Sequence, residues 1–288
     1  MTWEETIQEI RTKPEFKDLV RLAYFEADLD LNIQRFAESR EFEETLKLIK
    51  QYQPNAKTIV DIGSGNGISA VNFALRNYDV ISIEPDKSDT IGAGAIRISK
   101  EKHGLDNLTV YDSYAEDIQL PDSSFDVVYV RQAMHHANDL PKFIKECVRV
   151  LKPNGLLLTI RDHVVFDEKD KAWFLKSHPL QSYYGGENAF SPDQYKMAII
   201  QAGASVEKEF KYYDSIINYF PTTALEVEKL VALGNDKLKS KMKKRIGILA
   251  NFPFLILLYK WFKKIDRNSI LDERKIPGRM YSYIAIKR

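Results

Sequence analysis

Cysteine is nearly absent from this 288-residue sequence. Cys147 is the only one, so no disulfide can form within the chain and no thiolate cluster can hold a metal ion. This composition allows a reducing compartment. Cys147 lies on the apolar side of a predicted helix, which indicates that it is a structural core residue.

A surplus of either charge is also lacking. The chain has 42 Lys and Arg against 41 Asp and Glu, which gives a formal net charge of +1. Non-specific binding to nucleic acid requires many uncompensated basic residues, so we expect no nucleic-acid partner.

The sequence has no hydrophobic run long enough to span a membrane. The first ten residues are acidic and lack the apolar centre of a signal peptide, which favours a cytoplasmic location. The most apolar stretch, residues 246–262, is shorter than the ~20 residues of a spanning helix and is interrupted by Pro253. Lysines flank this stretch, so burial in a helical subdomain and a peripheral membrane contact both stay open.

From residue 58 the sequence repeats a strand-then-helix pattern. Short apolar runs lie at 58–62, 79–84, 108–111, 126–130 and 156–160. Their alternation with helical segments predicts a parallel sheet covered on both faces. Further strands are predicted at 205–213 and 280–288.

The same pattern predicts four parts of the chain. They are an N-terminal helical cap (1–50), an α/β core (51–213), a helical insertion (214–279) and a final core strand (280–288). The insertion is far longer than an ordinary connection. We expect it to roof the acceptor site and to help admit an apolar or membrane-borne substrate.

A glycine-rich loop follows the first predicted strand. Its glycines are Gly63, Gly65 and Gly67. Glycine lets the backbone turn sharply and approach a ligand closely. A dinucleotide fingerprint would place glycine at position 68, and Ile68 stands there, which disfavours an NAD-linked dehydrogenase. The second strand ends at Glu84, where an acid in such folds accepts hydrogen bonds from ribose hydroxyls.

Four segments resemble the class I S-adenosylmethionine (SAM)-dependent methyltransferases of the broad small-molecule group. They are DIGSGNG (61–67), SIEPD (82–86), AEDIQLPDSSFDVVYVRQAMHH (115–136) and VLKPNGLLLTI (150–160). The resemblance implies a Rossmann-like seven-stranded sheet with its last strand antiparallel, and SAM as the cofactor.

The resemblance also implies a set of cofactor-binding residues. The glycine loop and its neighbours would line the methionine end of SAM, Glu84 the ribose, Pro85 and 115–117 the adenine. The set is Asp61, Gly63, Ser64, Gly65, Gly67, Glu84, Pro85, Ala115, Glu116, Asp117, Arg131 and Gln132. Many relatives carry an adenine-contacting Asp where this sequence has Tyr114, so the acceptor for the adenine amine is left open between Glu116 and Asp117.

An arginine–aromatic pair in the cap, within NIQRFAESREF (32–42), is similar to one ahead of the core in related enzymes. Arg35 would then pair with the SAM carboxylate, a geometry that suits a guanidinium. The alternative is a solvated helix face with local i,i+4 pairs.

Two histidines are candidate general bases for a hydroxyl acceptor. His136 follows the fourth strand and His163 the fifth, at the edge where open α/β sheets bind ligands. We assign His135 to the architecture of its loop. The histidines are spread along the sequence, so we expect no metal site.

The segment HPLQSYYGGENAF (178–190) has the composition of a substrate-facing lid. Its candidate substrate-binding residues are His178, Tyr183, Tyr184, Glu187 and Asn188. A packed surface loop that turns at Gly185 and Gly186 is the alternative.

Together these features predict a SAM-dependent methyltransferase that acts on a small molecule or lipid. The acceptor atom is expected to be oxygen or nitrogen, with carbon also open. An RNA or protein methyltransferase is an alternative that the neutral charge and the lack of an Asn-Pro-Pro-Tyr-type motif after the fourth strand disfavour. A non-catalytic SAM-binding protein is another.

Overall fold

The computed structural model describes residues 1–247, 252–265 and 267–288. Its first part is a helical cap made of α1 (Trp3–Arg11), α2 (Lys17–Leu22), α3 (Leu29–Ala37) and α4 (Arg40–Tyr52). Thr2, Asp28 and Ser39 cap α1, α3 and α4, because each side chain accepts a backbone N–H that the first helical turn leaves unpaired. The helices of the cap extend to Tyr52, two residues beyond the predicted end at residue 50.

A seven-stranded sheet forms the core of the described chain. Its strands are β1 (Thr58–Ile62), β2 (Asp79–Ile83), β3 (Leu108–Tyr111), β4 (Phe125–Arg131), β5 (Leu151–His163), β6 (Ala204–Phe210) and β7 (Met280–Lys287). The order is β3-β2-β1-β4-β5-β7-β6. β7 runs antiparallel to β5 and β6, whereas the other pairs are parallel. The predicted fold class is therefore confirmed. β6 ends before the predicted residue 213 because Tyr212–Asp214 form a 3₁₀ turn.

Apolar side chains alternate between the two faces of the sheet, as the period of a β-strand requires. Ile59 and Val127 pack on one face with the cap and with α5 (Ile68–Ala74) and α6 (Ala93–His103). Val60 and Val128 pack on the other face with α7 (Leu140–Val150) and α9 (Pro192–Gln201). Cys147 of α7 is fully buried in this second layer, as predicted.

The insertion lies between β6 and β7. It comprises α10 (Ile216–Tyr219), α11 (Ala224–Ile246), α12 (Pro253–Phe262) and α13 (Arg267–Leu271). α11 approaches α13 closely at Gly234, where an added Cβ would lie 2.3 Å from Ile270 Cγ2. α12 is joined to α11 by Lys260 Nζ, which donates to Asn235 Oδ1 at 2.6 Å.

The apolar stretch predicted at residues 246–262 falls partly on the described chain, and residues 248–251 lie outside it. Within the described ranges, no helix combines the length and the apolar character needed to cross a membrane.

A buried ion pair fixes the start of β7 near the carboxyl edge of β5. The Arg279 guanidinium is fully buried and donates to both carboxylate oxygens of Asp170, at 2.5 and 2.8 Å. Asp170 belongs to α8 (Glu168–Ser177), so this pair ties α8 to the chain that enters β7. The burial of Asp170 opposes its ionisation, but the hydrogen bonds from Arg279 outweigh that effect and lower its pKa.

We predict that Asp170→Asn lowers the free energy of unfolding by about 3 kcal/mol, because it leaves a buried guanidinium without its counter-charge. Urea unfolding followed by circular dichroism measures the loss. Asp193→Asn is the control: Asp193 is exposed beside Lys196, and removal of such a pair costs no more than about 1 kcal/mol. Equal losses in the two variants would contradict the assignment.

Candidate functional site

The glycine loop turns directly from β1 into α5. Gly63, Gly65 and Gly67 have φ values of +66°, +54° and +81°, a left-handed region that other residues rarely adopt. An added Cβ at Gly63 would lie 2.4 Å from the Cβ of Ala133, which follows β4. Glycine is therefore required here both by the turn and by the close approach of the neighbouring loop.

Two buried carboxylates support this loop. Asp61 Oδ2 accepts from Ser69 Oγ at 2.5 Å, while its Oδ1 is buried and has no partner among the described residues. Glu84 accepts from the backbone N–H of Gly65 at 2.7 Å and of Asp86 at 2.9 Å. Burial raises the pKa of both Asp61 and Glu84 to about 7.

A cavity of about 930 Å³ runs from the glycine loop along the carboxyl edges of β1, β4 and β5. Its volume lies within the roughly 300–1,000 Å³ of small-molecule sites. Most of the predicted site residues line it. They are Gly63, Ser64, Gly65, Glu84, Pro85, Ala115, Glu116, Arg131, Gln132, His136, His163, His178, Tyr184 and Glu187.

Other predicted site residues do not line the cavity. Asp61 and Gly67 lie behind its wall. Asp117 accepts from Gln119, and of the two open adenine candidates only Glu116 reaches the cavity. Asn188 also lies off the lining.

Arg35 and Tyr183 both have partners in the cap and do not line the cavity. Arg35 donates to the carbonyl of Arg21 and lies 3.6 Å from Glu26, so the structure does not bring it to the cavity. Both partners precede α3 in the cap, so these contacts are not the i,i+4 pairs of the alternative either. The Tyr183 hydroxyl accepts from Lys13 at 3.0 Å, and its ring packs on Phe16. Tyr183 therefore holds the 178–190 loop against the cap.

A buried charge cluster forms the wall beside the methionine end of the predicted cofactor site. Glu41 of α4 is fully buried and accepts from Arg131 at 2.6 and 3.1 Å. Arg161 lies 3.7 Å from the same carboxylate and donates to the carbonyls of Ile217 and Phe220. Two guanidiniums thus share one carboxylate, and the cavity wall carries an excess positive charge.

Burial opposes the ionisation of Glu41, but the charges of Arg131 and Arg161 outweigh it and hold its pKa below the ordinary 4.5. Glu41 is therefore ionised at neutral pH, and the cluster contributes its stability there.

Four histidines that are spread along the sequence meet at the other end of the cavity. The ring centroids of His135 and His136 are 4.0 Å apart, those of His135 and His163 4.8 Å, and those of His163 and His178 5.7 Å. Our expectation that the histidines are dispersed is wrong in three dimensions, because the carboxyl ends of β4 and β5 are neighbours.

The two candidate bases differ in environment. His136 is exposed, and its Nδ1 contacts the carbonyl of Gly186 at 3.2 Å. His163 is buried, with Nδ1 2.6 Å from the carbonyl of Gly278. Burial, together with the neighbouring His178, lowers the pKa of His163 to about 3. Burial also lowers the pKa of His136, but by less than that of His163. A general base works best with a pKa near the working pH, so His136 is the better candidate of the two.

Sequence reasoning missed several residues of the cavity wall. The most consequential are Arg161, which lines the cavity, and Glu41, which lies behind it and pairs with Arg161. The cavity is also lined by Trp3, Phe25 and Phe220. One signal was available for Arg161: a charged pair, Arg-Asp, follows the apolar run of the fifth strand at the ligand-binding edge. No sequence pattern pairs Glu41 with residues about a hundred positions away.

Comparison with known proteins agrees with this geometry. A family model described as a methyltransferase domain matches residues 60–159. The uncharacterized methyltransferase YcgJ of Bacillus subtilis is 34% identical over 105 residues, 36% of this chain and 40% of that protein. A ubiquinone biosynthesis O-methyltransferase of Rhodopseudomonas palustris is 28% identical over 117 residues, 38% of this chain and 44% of that protein. The matches thus span less than half of these relatives.

Solved structures share the fold over most of the chain. The YcgJ structure superposes with a TM-score of 0.52 at 20% identity, over 86% of this chain and 99% of that one. Geranyl diphosphate C-methyltransferase from Streptomyces coelicolor gives 0.56 at 16% identity, over 89% and 82%. The seven-stranded fold is the one that the resemblance to class I SAM-dependent methyltransferases implies. The match of the methyltransferase-domain model to residues 60–159 agrees with the resemblance of the sequence segments in the same stretch.

We predict that Glu41→Gln lowers the free energy of unfolding by about 3–5 kcal/mol at pH 7, because it removes the carboxylate that the buried guanidiniums of Arg131 and Arg161 share. The wild-type pKa lies below 4.5, so this contribution is present above that pH and is lost as the pH falls below it. Urea unfolding at several pH values should therefore show the two proteins converging in acid. Glu43→Gln, which alters an exposed pair with Lys47, is the matched control and should change little. A pH-independent difference would count against the assignment.

Proposed function

We propose that this protein transfers a methyl group from SAM to an oxygen or nitrogen nucleophile of a small molecule or lipid, with a carbon nucleophile also open. The observation that carries the proposal is the single cavity that joins the glycine loop and Glu84 to a cluster of neutral imidazoles. A cofactor and an acceptor would thus meet in one enclosed space.

The residues at the loop fit this cofactor. The backbone of Gly65 lines the cavity, and an added Cβ there would meet no atom closer than 3.9 Å, so a ligand can approach the loop closely. Glu84 suits two ribose hydroxyls, and the excess positive charge of Arg131 and Arg161 suits the methionine carboxylate. When bound, SAM supplies an activated methyl group on its sulfonium.

The imidazole end of the cavity suits the acceptor. His136 would accept a proton from an acceptor hydroxyl, while Tyr184, His178 and Glu187 would orient the acceptor and exclude water. The relatives named for O-methylation and the neighbour named for C-methylation support a small-molecule acceptor without fixing its atom. The chain has no surplus of basic residues, which disfavours the alternative of an RNA or protein methyltransferase.

We predict that SAM and its demethylated product (SAH) bind to the purified protein and that Glu84→Ala weakens SAH binding by about 1.5–3 kcal/mol, the value of a hydrogen bond to a charged group. Binding should also strengthen as the pH rises through about 7, because burial raises the pKa of Glu84 to about 7 and the carboxylate is the better acceptor. Isothermal calorimetry measures both effects.

Asp117→Ala is the control, since its carboxylate faces Gln119 outside the cavity and the affinity for SAH should not change. NAD binding without SAM or SAH binding would refute the proposal. SAH formation in a metabolite extract separates an enzyme from a mere SAM-binding protein, and His136→Gln should lower that rate more than it lowers SAH affinity.

The insertion adds a surface that favours a membrane-borne acceptor. On α12, Phe254, Leu257, Trp261 and Phe262 are 70, 65, 72 and 69% exposed. With Leu258 they follow the i, i+3, i+4, i+7, i+8 spacing of one helix face. In a soluble helix this apolar stripe would face the core, and here it faces outward.

Basic residues surround this outward-facing stripe. Between residues 237 and 264 the sequence has nine lysines and arginines and no acidic residue. Aromatic residues and leucines on one side with lysines around them are the chemistry of a helix that rests on an anionic lipid surface. We propose that α12 makes this contact. Among the described residues of the insertion, only those near its two ends, at Phe220 and Gly278, line the cavity. The predicted role of the insertion as a roof over the acceptor site is therefore limited to these two ends.

We predict that the protein co-sediments with liposomes that contain anionic phosphatidylserine and that binding falls as salt is raised, because screening weakens the attraction of the lysines. Phe254→Asp with Leu257→Asp should abolish binding without loss of folding, since both side chains are exposed. Met197→Asp with Ile200→Asp, on the exposed face of α9, is the matched control and should leave binding intact. Absence of binding to any liposome would refute the proposal that α12 contacts a lipid surface.

A further inference from the structure

Three side chains at the imidazole end of the cavity converge as metal ligands do. One ligand atom from each of His135, His163 and Glu187 lies within 4.8 Å of the other two. His135 Nε2 is 3.9 Å from Glu187 Oε2. The three come from the turn after β4, the end of β5 and the loop between α8 and α9, so the fold and not a local sequence motif assembles them.

Both imidazoles are oriented by a second partner. His135 Nδ1 is 3.0 Å from Asp162 Oδ1, and His163 Nδ1 is 2.6 Å from the carbonyl oxygen of Gly278. The carbonyl oxygen of Gly278 can only accept, so His163 Nδ1 carries the proton and Nε2 presents a lone pair. The ionised form of Asp162 would fix His135 in the same tautomer. Metal-ligating histidines almost always have this arrangement, in which a carboxylate or carbonyl fixes the ring and its tautomer.

Glu187 completes the set as a carboxylate that the surrounding protein does not satisfy. Its side chain is 5% exposed, yet no lysine or arginine pairs with it in the described chain. His178 Nδ1 lies 3.6 Å from Oε1, and His135 Nε2 3.9 Å from Oε2, which are too long for hydrogen bonds. A buried carboxylate is costly without a counter-charge, and a cation among these three ligands would supply it.

We propose that His135, His163 and Glu187 form a binding site for a divalent first-row transition metal such as Zn²⁺ or Fe²⁺. Two imidazole nitrogens with one carboxylate suit these ions, whereas Mg²⁺ and Ca²⁺ prefer ligands that are all oxygen. Three protein ligands also leave coordination positions open toward the cavity, as catalytic sites do and structural sites do not.

Metal binding requires the three ligands to close in. Metal–nitrogen and metal–oxygen distances of about 2.1 Å place tetrahedral ligand atoms about 3.4 Å apart. The widest separation here is 4.8 Å. Glu187 would supply the movement, because its side chain rotates about three bonds and its carboxylate makes no hydrogen bond to the part of the chain that the structure describes.

The open positions give the metal a place in methyl transfer, a role that rests on the proposed function. An acceptor hydroxyl bound there would release its proton to His136, whose ring adjoins that of His135, since a divalent cation lowers the pKa of a bound oxygen. That oxygen would then attack the methyl carbon, and the electrons of the broken carbon–sulfur bond would stay on the cofactor's sulfur.

Titration with CoCl₂ tests the site directly, because Co²⁺ bound to nitrogen and carboxylate ligands absorbs visible light. After dialysis against a chelator, the wild-type protein should bind one equivalent, and ZnCl₂ but not MgCl₂ should displace it. Glu187→Gln, which keeps the shape of the side chain, should weaken binding at least tenfold. Asp162→Asn should weaken it by roughly 10–100-fold, the usual effect of losing a ligand's supporting partner.

His103→Gln is the matched control. His103, at the end of α6, pairs with Asp30 of α3 away from the cavity, so its loss should leave Co²⁺ binding unchanged. Thermal unfolding of each metal-free variant establishes that it is folded. No visible bands in the wild-type protein, or equal bands in wild type and Glu187→Gln, would overturn the proposal.

Calorimetry with SAH on the same metal-free sample keeps the two proposals apart. SAH binding without a Co²⁺ signal means that the metal site alone is wrong. A Co²⁺ signal that requires Glu187, without SAH binding, means that methyl transfer alone is wrong.

Discussion

The buried carboxylate of Glu41 is the contact on which the arrangement of the site depends. It comes from the helical cap, and its two guanidinium partners come from the ends of neighbouring core strands, β4 and β5. Arg161 extends the link, because its other N–H groups donate to carbonyls at the start of the insertion. One charge cluster thus joins cap, sheet and insertion at the edge where the cavity opens. Burying such a cluster is costly unless every charge is compensated. Two guanidiniums share one carboxylate, so one positive charge is left uncompensated, and both arginines line the cavity.

The cavity has two chemically distinct ends because the strand ends that form it carry different groups. Beside β1 and β2 the wall consists of glycine backbone and of the carboxylate of Glu84, with Asp61 buried behind it, and burial raises the pKa of both acids to about 7. Beside β4 and β5 it consists of imidazoles, and burial holds the pKa of His163 and His178 at about 3 and 4. These imidazoles are therefore neutral over the ordinary pH range and present lone pairs rather than charges. Ribose hydroxyls and a sulfonium suit the first end, and an acceptor or a cation suits the second.

The sequence predicted the sheet and the glycine loop well because both depend on local pattern. Apolar runs of strand length, turn glycines and the acid at Glu84 are each readable within a few residues. The prediction was poorer where a side chain's partner is distant in sequence. Arg35 resembled a clamp for a carboxylate, but Glu26 and the carbonyl of Arg21 were nearer partners in the folded cap. The histidine cluster was missed for the same reason, since only the β4–β5 pairing makes residues 135 and 163 neighbours.

The position of β7 has a consequence for how freely the insertion can change. β7 lies between β5 and β6, although the whole insertion separates it from β6 along the chain. β6 pairs only with β7, so it joins the sheet only after the chain has returned from the insertion and β7 is in place. The entropy of closing a loop grows slowly with its length, by about 0.6 kcal/mol for each doubling. Residues can be gained or lost between Phe220 and Gly278 at little thermodynamic cost, so the segment with the apolar stripe is free to diverge while the sheet and the cofactor loop stay the same.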